Sequence, residues 1–260
     1  GGTPLLQEVS VPQVEVVPVL KWRVNSASVP GSSHIERMRG SDDYCMVSVH
    51  DEYLVAVLAD GMGSAHFSNV GSRLATKAAH TALVAGLGRS VTDAGLLDLL
   101  RHAVGRAQHA IQSGAEALGV LTQDLASTLV VAVATKDFIA VASIGDCTCV
   151  VREADGRATT VAAPAKGEYA NASYFLGFPD EEMLVSKVHR AGIQDIAIFS
   201  DGLEGIALVR GEPFLPFLEP LWSADLADND LKALLDSERV RRVTDDDCTL
   251  VIASSEGWSG

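Results

Sequence analysis

The stretch that decides the fold is "YLVAVLADGMGSAHFSNVGSRLATKAA", residues 53–79. An apolar run ends abruptly at Asp60-Gly61, and an Ala-rich stretch with helical periodicity follows. An Asp-Gly pair between two alternating strands is an ordinary hairpin turn, but this pair stands between a strand and a helix. Turn formation alone therefore does not explain the carboxylate at Asp60.

Apolar runs on both sides of this stretch predict strands joined mostly by hairpins, with helices in pairs. That pattern favours antiparallel sheets covered by helices over a parallel βαβ sheet. A polar loop is expected at 163–181. We predict strands at 14–20, 44–49, 53–59, 127–135, 138–145, 147–153, 158–161, 183–189, 194–199 and 248–254, and helices at 68–87, 92–118, 202–209 and 225–237.

Composition limits the classes of partner. The chain has 260 residues, 47% of them hydrophobic, and a net charge of −14, so nucleic acid and membrane are not expected as partners. No apolar run is long enough to span a bilayer, and no signal-peptide pattern is visible. The four cysteines form no Cys-x-x-Cys pair and lie in apolar runs, which indicates free core thiols and a reducing, cytoplasmic compartment. We expect residues 1–12 to be a leader or a remnant of processing or cloning, and 13–260 to form a single domain.

Acidic residues recur where apolar strands begin or end. Asp60, Asp146 and Asp201 follow predicted strands, Asp246 precedes the last strand, and the pair Asp42-Asp43 precedes "YCMVSV". If these strands are neighbours, the carboxylates meet at one rim of the sheets. Asp155-Gly156, between two strand-like runs, is by contrast expected to be a plain turn.

Two interpretations of Asp60 and Asp201 stay open, because a helix follows each and an Asp there can cap its N-terminus. A metal site is the other. Two carboxylates about 5 Å apart repel by roughly 3 kcal/mol at an effective dielectric of about 20, so a larger cluster calls for cations. Hard oxygen ligands without His or Cys favour magnesium, manganese or calcium over zinc. No D-x-D-x-D-G calcium loop is present, which leaves magnesium or manganese.

Five motifs carry a family resemblance: "ADGMGSAHFSNVG", "LASTLVVAVA", "ASIGDC", "FSDGLEGIAL" and "DDCTLVI". In this order they resemble the metal-dependent protein phosphatases of type 2C, over nearly the whole chain from Trp22 to Ser254. "GSSH", "DGMGSA" and "GEYANASYFL" are similar to a bacterial branch of that family. The resemblance implies an α+β fold, an α-β-β-α sandwich of two central antiparallel sheets flanked by helices.

The resemblance also implies roles for the acids. Asp60 would bridge two Mn²⁺ or Mg²⁺ ions, the Gly61 carbonyl would bind one of them, and Asp201 and Asp246 would complete the ligands, acting in catalysis through metal-bound water. Asp43, with Asp42, matches the family's acidic pair, which acts directly or through metal-bound waters. Asp146 matches a position that helps to hold a third ion in some members.

Three departures from the family pattern concern substrate and metal binding. Met38 stands where the family usually has a phosphate-binding Arg, so Arg37, Arg39 and His34 become candidates for the phosphate, with a solvated loop as the alternative for the two arginines. Met62 replaces a His proposed elsewhere as a general acid. Gly205 replaces an acidic ligand, which leaves the third ion open.

The implied function is hydrolysis of phosphoserine and phosphothreonine by a two-metal-activated water, without a covalent phosphoenzyme. Phosphoprotein substrates and a cognate Ser/Thr kinase would be the partners. Two alternatives stay open: a phosphatase-like module that binds phosphoproteins with little or no turnover, and an acid-capped structural domain. Ser127 and Thr128 begin a core strand with no His nearby in sequence, so we interpret them as structural rather than nucleophilic.

Overall fold

The fold is described from a computed structural model, which covers residues 21–88, 92–164, 175–178 and 184–256. The predicted leader, the predicted strand at 14–20 and most of the 163–181 loop lie outside these residues. No helix in the described ranges is long and apolar enough to cross a membrane.

The described chain forms two five-stranded antiparallel sheets, as predicted. The strands are β1 (Lys21–Val29), β2 (Tyr44–His50), β3 (Tyr53–Ala59), β4 (Leu129–Thr135), β5 (Phe138–Ile144), β6 (Thr148–Glu153), β7 (Ala158–Ala162), β8 (Val185–Arg190), β9 (Ile193–Phe199), β10 (Leu208–Val209), β11 (Glu212–Pro213) and β12 (Cys248–Glu256). One sheet has the order β1-β12-β9-β6-β7 and the other β2-β3-β4-β5-β8. The short strands β10 and β11 form a separate hairpin.

Helices cover the outer faces of both sheets. The α-helices are α1 (Ser32–Glu36), α2 (Ser68–Gly86), α3 (Asp93–Leu118), α4 (Glu204–Ala207), α5 (Leu215–Ser223), α6 (Asp228–Leu235) and α7 (Glu238–Arg241). Short 3-10 helices occupy Thr122–Leu125 and Asp201–Leu203. The helices α2 and α3 pack on the β2-β3-β4-β5-β8 sheet, and α4, α5 and α6 on the other, which gives four layers.

The opening stretch shows why the strands read as unbroken apolar runs. Along β3, Val55, Val57 and Ala59 face the core under α2 and α3, and the alternate residues Leu54 and Leu58 face the core between the two sheets. Because both faces of the strand are buried, no polar residue is tolerated on either, and the usual alternation is lost. This central position fixes the end of β3, and therefore the place of Asp60.

The structure differs from the sequence prediction at the edges and near the C-terminus. Strand β1 was not predicted, because its sequence "KWRVNSASV" is only half buried at a sheet edge, where Asp228 of α6 accepts a hydrogen bond from the backbone N of Ser26 at 2.9 Å. The helix predicted at 202–209 is wrong in extent: it ends at Ala207 and gives way to the β10-β11 hairpin. The helix predicted at 225–237 is shorter, and α5 and α7 flank it.

Candidate metal centre

Three strand ends bring carboxylates together. Asp60 directly follows β3, Asp146 lies two residues after β5, and Asp201 lies two residues after β9. One carboxylate oxygen from each of the three lies within 4.8 Å of the others. The first two strands belong to one sheet and β9 to the other, so the cluster forms where the two sheets meet at one rim.

Asp43 adds a buried carboxylate whose polar atoms are unsatisfied. It directly precedes β2 and is only 2% exposed, and neither carboxylate oxygen has a hydrogen-bond partner among the described residues. Burial raises the pKa of Asp43 to about 7. The nearby side chains of Ser200 and Thr249 offset only part of that increase, and the charge of Asp247 adds to it. A buried acceptor without a donor is costly, so these oxygens call for a cation.

The other carboxylates of the cluster are buried and repel one another. Burial raises the pKa of Asp60 well above its ordinary value, and the charges of Asp43 and Asp201 raise it further. Burial, then the charges of Asp146 and Asp246, raise the pKa of Asp201 to about 6. Burial also raises the pKa of Asp246. This all-oxygen donor set therefore fits Mg²⁺ or Mn²⁺, which would supply the missing positive charge.

Helix capping does not explain Asp60 or Asp201. Helix α2 begins only at Ser68, eight residues after Asp60, and its N-cap Phe67 makes no side-chain cap. Asp201 is the first residue of a 3-10 helix whose N-cap is Ser200, and no side chain caps it. The structure therefore removes the alternative that the sequence left open.

Neighbouring residues hold the Asp60-Gly61 backbone. The backbone N of Thr128 donates to the Asp60 carbonyl at 2.7 Å, and the Asp60 N donates to the Thr128 hydroxyl at 2.9 Å. A Cβ on Gly61 would lie 2.8 Å from the Asp42 carbonyl oxygen and from the Ser68 Cβ, so only glycine fits this contact. Thr128, being almost fully buried, has the structural role that the sequence predicts.

One residue that the sequence interpretation missed is Asp247. Its carboxylate is 4% exposed and accepts hydrogen bonds from the backbone N of Gly31, from His34 and from the backbone N of Asp42. The sequence signal for it was the run of three aspartates in "TDDDCT". One of them is the predicted metal ligand and a second can be a turn residue, which leaves the third, Asp247, without an assigned role.

The three candidates for phosphate binding have different surroundings. The guanidinium of Arg39 lies 3.3 Å from Asp42 Oδ1, beside the centre, whereas Arg37 is exposed and no contact of its side chain is observed among the described residues. The His34 ring nitrogens face Asp247 and Asp42, at 2.8 and 3.4 Å. Met38 between the arginines is 95% exposed and has a left-handed φ of 53°.

Part of the predicted 163–181 loop is described and lies against the site. Leu176 is buried, and its backbone N donates to the carbonyl of Ser127 at 2.7 Å. Ser127 in turn forms a β-bridge with Gly61. Only Ser127 therefore separates this segment from Gly61, whose carbonyl is expected to bind metal.

Comparisons with known proteins agree with this geometry. A model of the family Protein phosphatase 2C matches residues 30–237. The chain is 29% identical over 254 residues to Serine/threonine-protein phosphatase 3 of Escherichia coli (strain K12), covering 90% of this chain and 98% of that protein.

Solved structures show the same fold at lower identity. The catalytic domain of the serine threonine protein phosphatase PstP, in complex with 2 manganese ions, has a TM-score of 0.61 and 21% identity, covering 91% of this chain and 98% of its own. The serine/threonine phosphatase Stp1 from Staphylococcus aureus has a TM-score of 0.64 and 14% identity, covering 96% and 100%. Both support the sandwich of two antiparallel sheets flanked by helices.

Proposed function

This chain belongs to the protein phosphatase 2C family and is a metal-dependent protein serine/threonine phosphatase, and we propose that the acidic rim described above is its catalytic centre. The observation that carries the proposal is the convergence of Asp60, Asp146 and Asp201 within 4.8 Å, next to the unsatisfied carboxylate of Asp43. Its cofactors are two divalent ions, manganese or magnesium.

Each acid has a role in this proposal. Asp60, Asp201 and Asp246 would hold the two ions together with the Gly61 carbonyl, and Asp43 would bind an ion directly or through its bound water. Asp146, two residues after β5, would help to hold a further ion. When bound, two such ions neutralise charge on a phosphoryl group and lower the pKa of water for in-line attack.

The protein fold fixes the positions of the carboxylates. Strands β3, β5 and β9, which deliver Asp60, Asp146 and Asp201, are buried on both faces, so these carboxylates are preorganised before substrate arrives. Ser127 and Thr128 are buried, so neither offers a nucleophilic hydroxyl to a phosphate, which supports direct hydrolysis without a phosphoenzyme. We assign the substrate phosphate to Arg39, whose guanidinium is already held beside the acidic pair.

The substrates are phosphoproteins, and a cognate Ser/Thr kinase is the proposed source of their phosphate. The net charge of −14 supports a protein that does not use nucleic acid or anionic membranes as partners. Four free cysteines, three of them buried, support a reducing, cytoplasmic location. We further propose that 13–260 acts as a single domain.

A manganese-dependent assay on p-nitrophenyl phosphate and on a phosphoserine peptide tests the proposal. We expect turnover of both with Mn²⁺ and its loss with a chelator. Manganese binding without turnover of either substrate would instead identify a phosphoprotein-binding module. Absence of manganese binding would refute the assignment of the acidic rim.

A further inference from the structure

The carboxylate of Asp247 lies within the acidic rim but makes only structural contacts. Oδ1 accepts from the Gly31 N at 2.6 Å and from His34 Nδ1 at 2.8 Å, and Oδ2 accepts from the Asp42 N at 2.6 Å. Both oxygens are therefore engaged by donors of this chain. Hydrogen bonds to a charged acceptor are the strong ones in proteins, so this group ties its partners firmly.

These bonds join Asp247 to two segments that lie more than 200 positions away in the sequence. Gly31 forms the corner between β1 and α1, and His34 lies within α1. Asp42 belongs to the loop before β2, and Asp247 directly precedes β12. The corner is closely packed, because a Cβ on Gly31 would lie 2.4 Å from the Asp245 carbonyl oxygen. The backbone N of Ser32 also donates to that oxygen at 2.8 Å.

His34 is the side chain at the middle of this arrangement. Its ring is 13% exposed, with Nδ1 on Asp247 and Nε2 3.4 Å from Asp42 Oδ2. A carboxylate oxygen only accepts, so Nδ1 carries the proton in the bond to Asp247. With one nitrogen used and the other facing a second carboxylate, the ring has no free donor for a phosphate.

We propose that His34 and Asp247 are a positioning pair, which we call the His34–Asp247 brace, that sets the distance between Asp43 and Asp246. The inference rests on the proposed function, because the proposed function places Asp43 and Asp246 at the metal centre. The brace acts on the immediate neighbour of each: Asp42 precedes Asp43, and Asp247 follows Asp246. Groups that orient metal ligands through hydrogen bonds affect metal affinity although they do not touch the ion.

Mn²⁺ affinity and KM together distinguish this positioning role from a role in phosphate binding. If the brace positions ligands, His34→Ala should weaken Mn²⁺ binding, measured by calorimetry, by about 10–100-fold, the usual loss for an outer-shell partner. The KM for p-nitrophenyl phosphate at saturating Mn²⁺ should stay within about twofold, since no ground-state contact is lost. Unchanged Mn²⁺ affinity with a raised KM would overturn the brace in favour of phosphate binding.

Two conservative variants show which ring nitrogen matters. His34→Asn places an amide N–H close to the position of Nδ1, and His34→Gln places one close to Nε2. We expect Asn to restore most of the Mn²⁺ affinity and Gln to restore little. His109→Ala, an exposed histidine on α3, is the control and should change nothing. Equal effects of Ala, Asn and Gln would overturn the brace.

A readout on the metal-free protein makes the test independent of activity. Asp247→Asn keeps the shape but turns one acceptor into a donor that faces a backbone N–H. Amide hydrogen exchange of the segments containing Gly31 and Asp42 should therefore accelerate in Asp247→Asn and in His34→Ala by more than exchange in the core-packed helix α3, which reports any global loss of stability. Unaltered exchange in both variants would overturn the brace. Absence of Mn²⁺-dependent turnover in the unaltered protein would instead reject the proposed function.

Discussion

Asp60 and Thr128 hold each other at the ends of two neighbouring strands: the Asp60 N–H donates to the Thr128 hydroxyl at 2.9 Å, and the Thr128 N–H donates to the Asp60 carbonyl at 2.7 Å. Strand β4, which begins just after Thr128, pairs with β3 in antiparallel register. The carboxylate of Asp60 is therefore carried on a backbone that both strands fix, and the position of this side chain does not depend on a flexible loop.

Asp60→Asn tests the reason for the carboxylate. The change keeps the shape but removes the charge, so Mn²⁺ affinity and turnover should fall together, turnover by at least about 10²-fold. The metal-free melting temperature should hold or rise, because neighbouring acids repel this charge. Calorimetry, thermal denaturation and turnover on one variant measure all three. Asp155→Asn, in the β6-β7 turn, is the control, and normal turnover in Asp60→Asn would refute the assignment.

Thr128→Val tests the support beneath Asp60. Valine has the same shape but no hydroxyl, so the partly buried Asp60 N–H loses its acceptor, at a cost of about 1–2 kcal/mol. For a domain of this size each kcal/mol lowers the melting temperature by about 2–4 °C. Mn²⁺ affinity should fall as well, since Asp60 is no longer held in place. Thr128→Ser keeps the oxygen and should retain both properties; equal losses in Val and Ser would point to packing instead.

Arg39→Ala tests the assignment of the phosphate. A guanidinium that binds phosphate contributes about 1.5–3 kcal/mol, so KM for p-nitrophenyl phosphate should rise about 10-fold or more. Arg37 lies two residues before Arg39 and is exposed, so Arg37→Ala is the control and should leave KM within about twofold. Calorimetry with Mn²⁺ distinguishes a lost substrate contact from a disturbed Asp42. If the double Ala variant has normal kinetics, the metals alone hold the phosphate.

Met38→Gly should stabilise the protein. Met38 has a φ of 53°, where a Cβ is unfavourable, and its 95% exposed side chain has no packing to lose. Glycine removes about 1–2 kcal/mol of left-handed strain from the folded state. Part of this gain is lost because glycine also increases the conformational entropy of the unfolded chain. The net gain should raise the melting temperature by no more than about 2–4 °C. Met38→Ala keeps the Cβ and should gain nothing; an equal rise in Ala would show that the strain is not the cause.

Glu153 should stabilise the junction of the two sheets in a pH-dependent way. It lies on β6, is 5% exposed, and accepts from Arg157, from Thr159 and from His189 of β8. The hydrogen bond from Arg157 is the main cause that lowers the pKa of Glu153. The folded-state pKa is thus below its ordinary value of 4.5, so the stabilisation is present above that pH and is lost as pH falls.

Glu153→Gln should therefore lower the free energy of unfolding at neutral pH by only about 0.5–1 kcal/mol, because its main partner Arg157 is exposed and solvent screens the pair. The gap between variant and unaltered protein should narrow below about pH 4.5, where the glutamate protonates in the unfolded chain first. Urea denaturation across pH measures this. Asp98→Asn, in the exposed pair with Arg101, is the control with little expected effect. A gap that stays constant with pH would contradict the linkage.

The sequence by itself determined the alternation of strands and helices and the acids at the strand ends. These are local patterns: β3 and β4 are buried on both faces and read as continuous apolar runs, and α2 and α3 carry a 3.6-residue stripe. The two-sheet fold that the family resemblance implied is confirmed. The edge strand β1 was not predicted because "KWRVNSASV" contains no continuous apolar run, and its stability comes from pairing with β12.

Only the tertiary structure decided how the acids meet and what holds them. Asp60, Asp146 and Asp201 are far apart in the chain and converge because the two sheets pack face to face with their ends at one rim. The His34–Asp247 brace joins residues more than 200 positions apart, so no local sequence pattern predicts it. Sequence periodicity reports which face of an element is buried, whereas a buried carboxylate becomes a ligand or a brace according to the donors that packing brings to it.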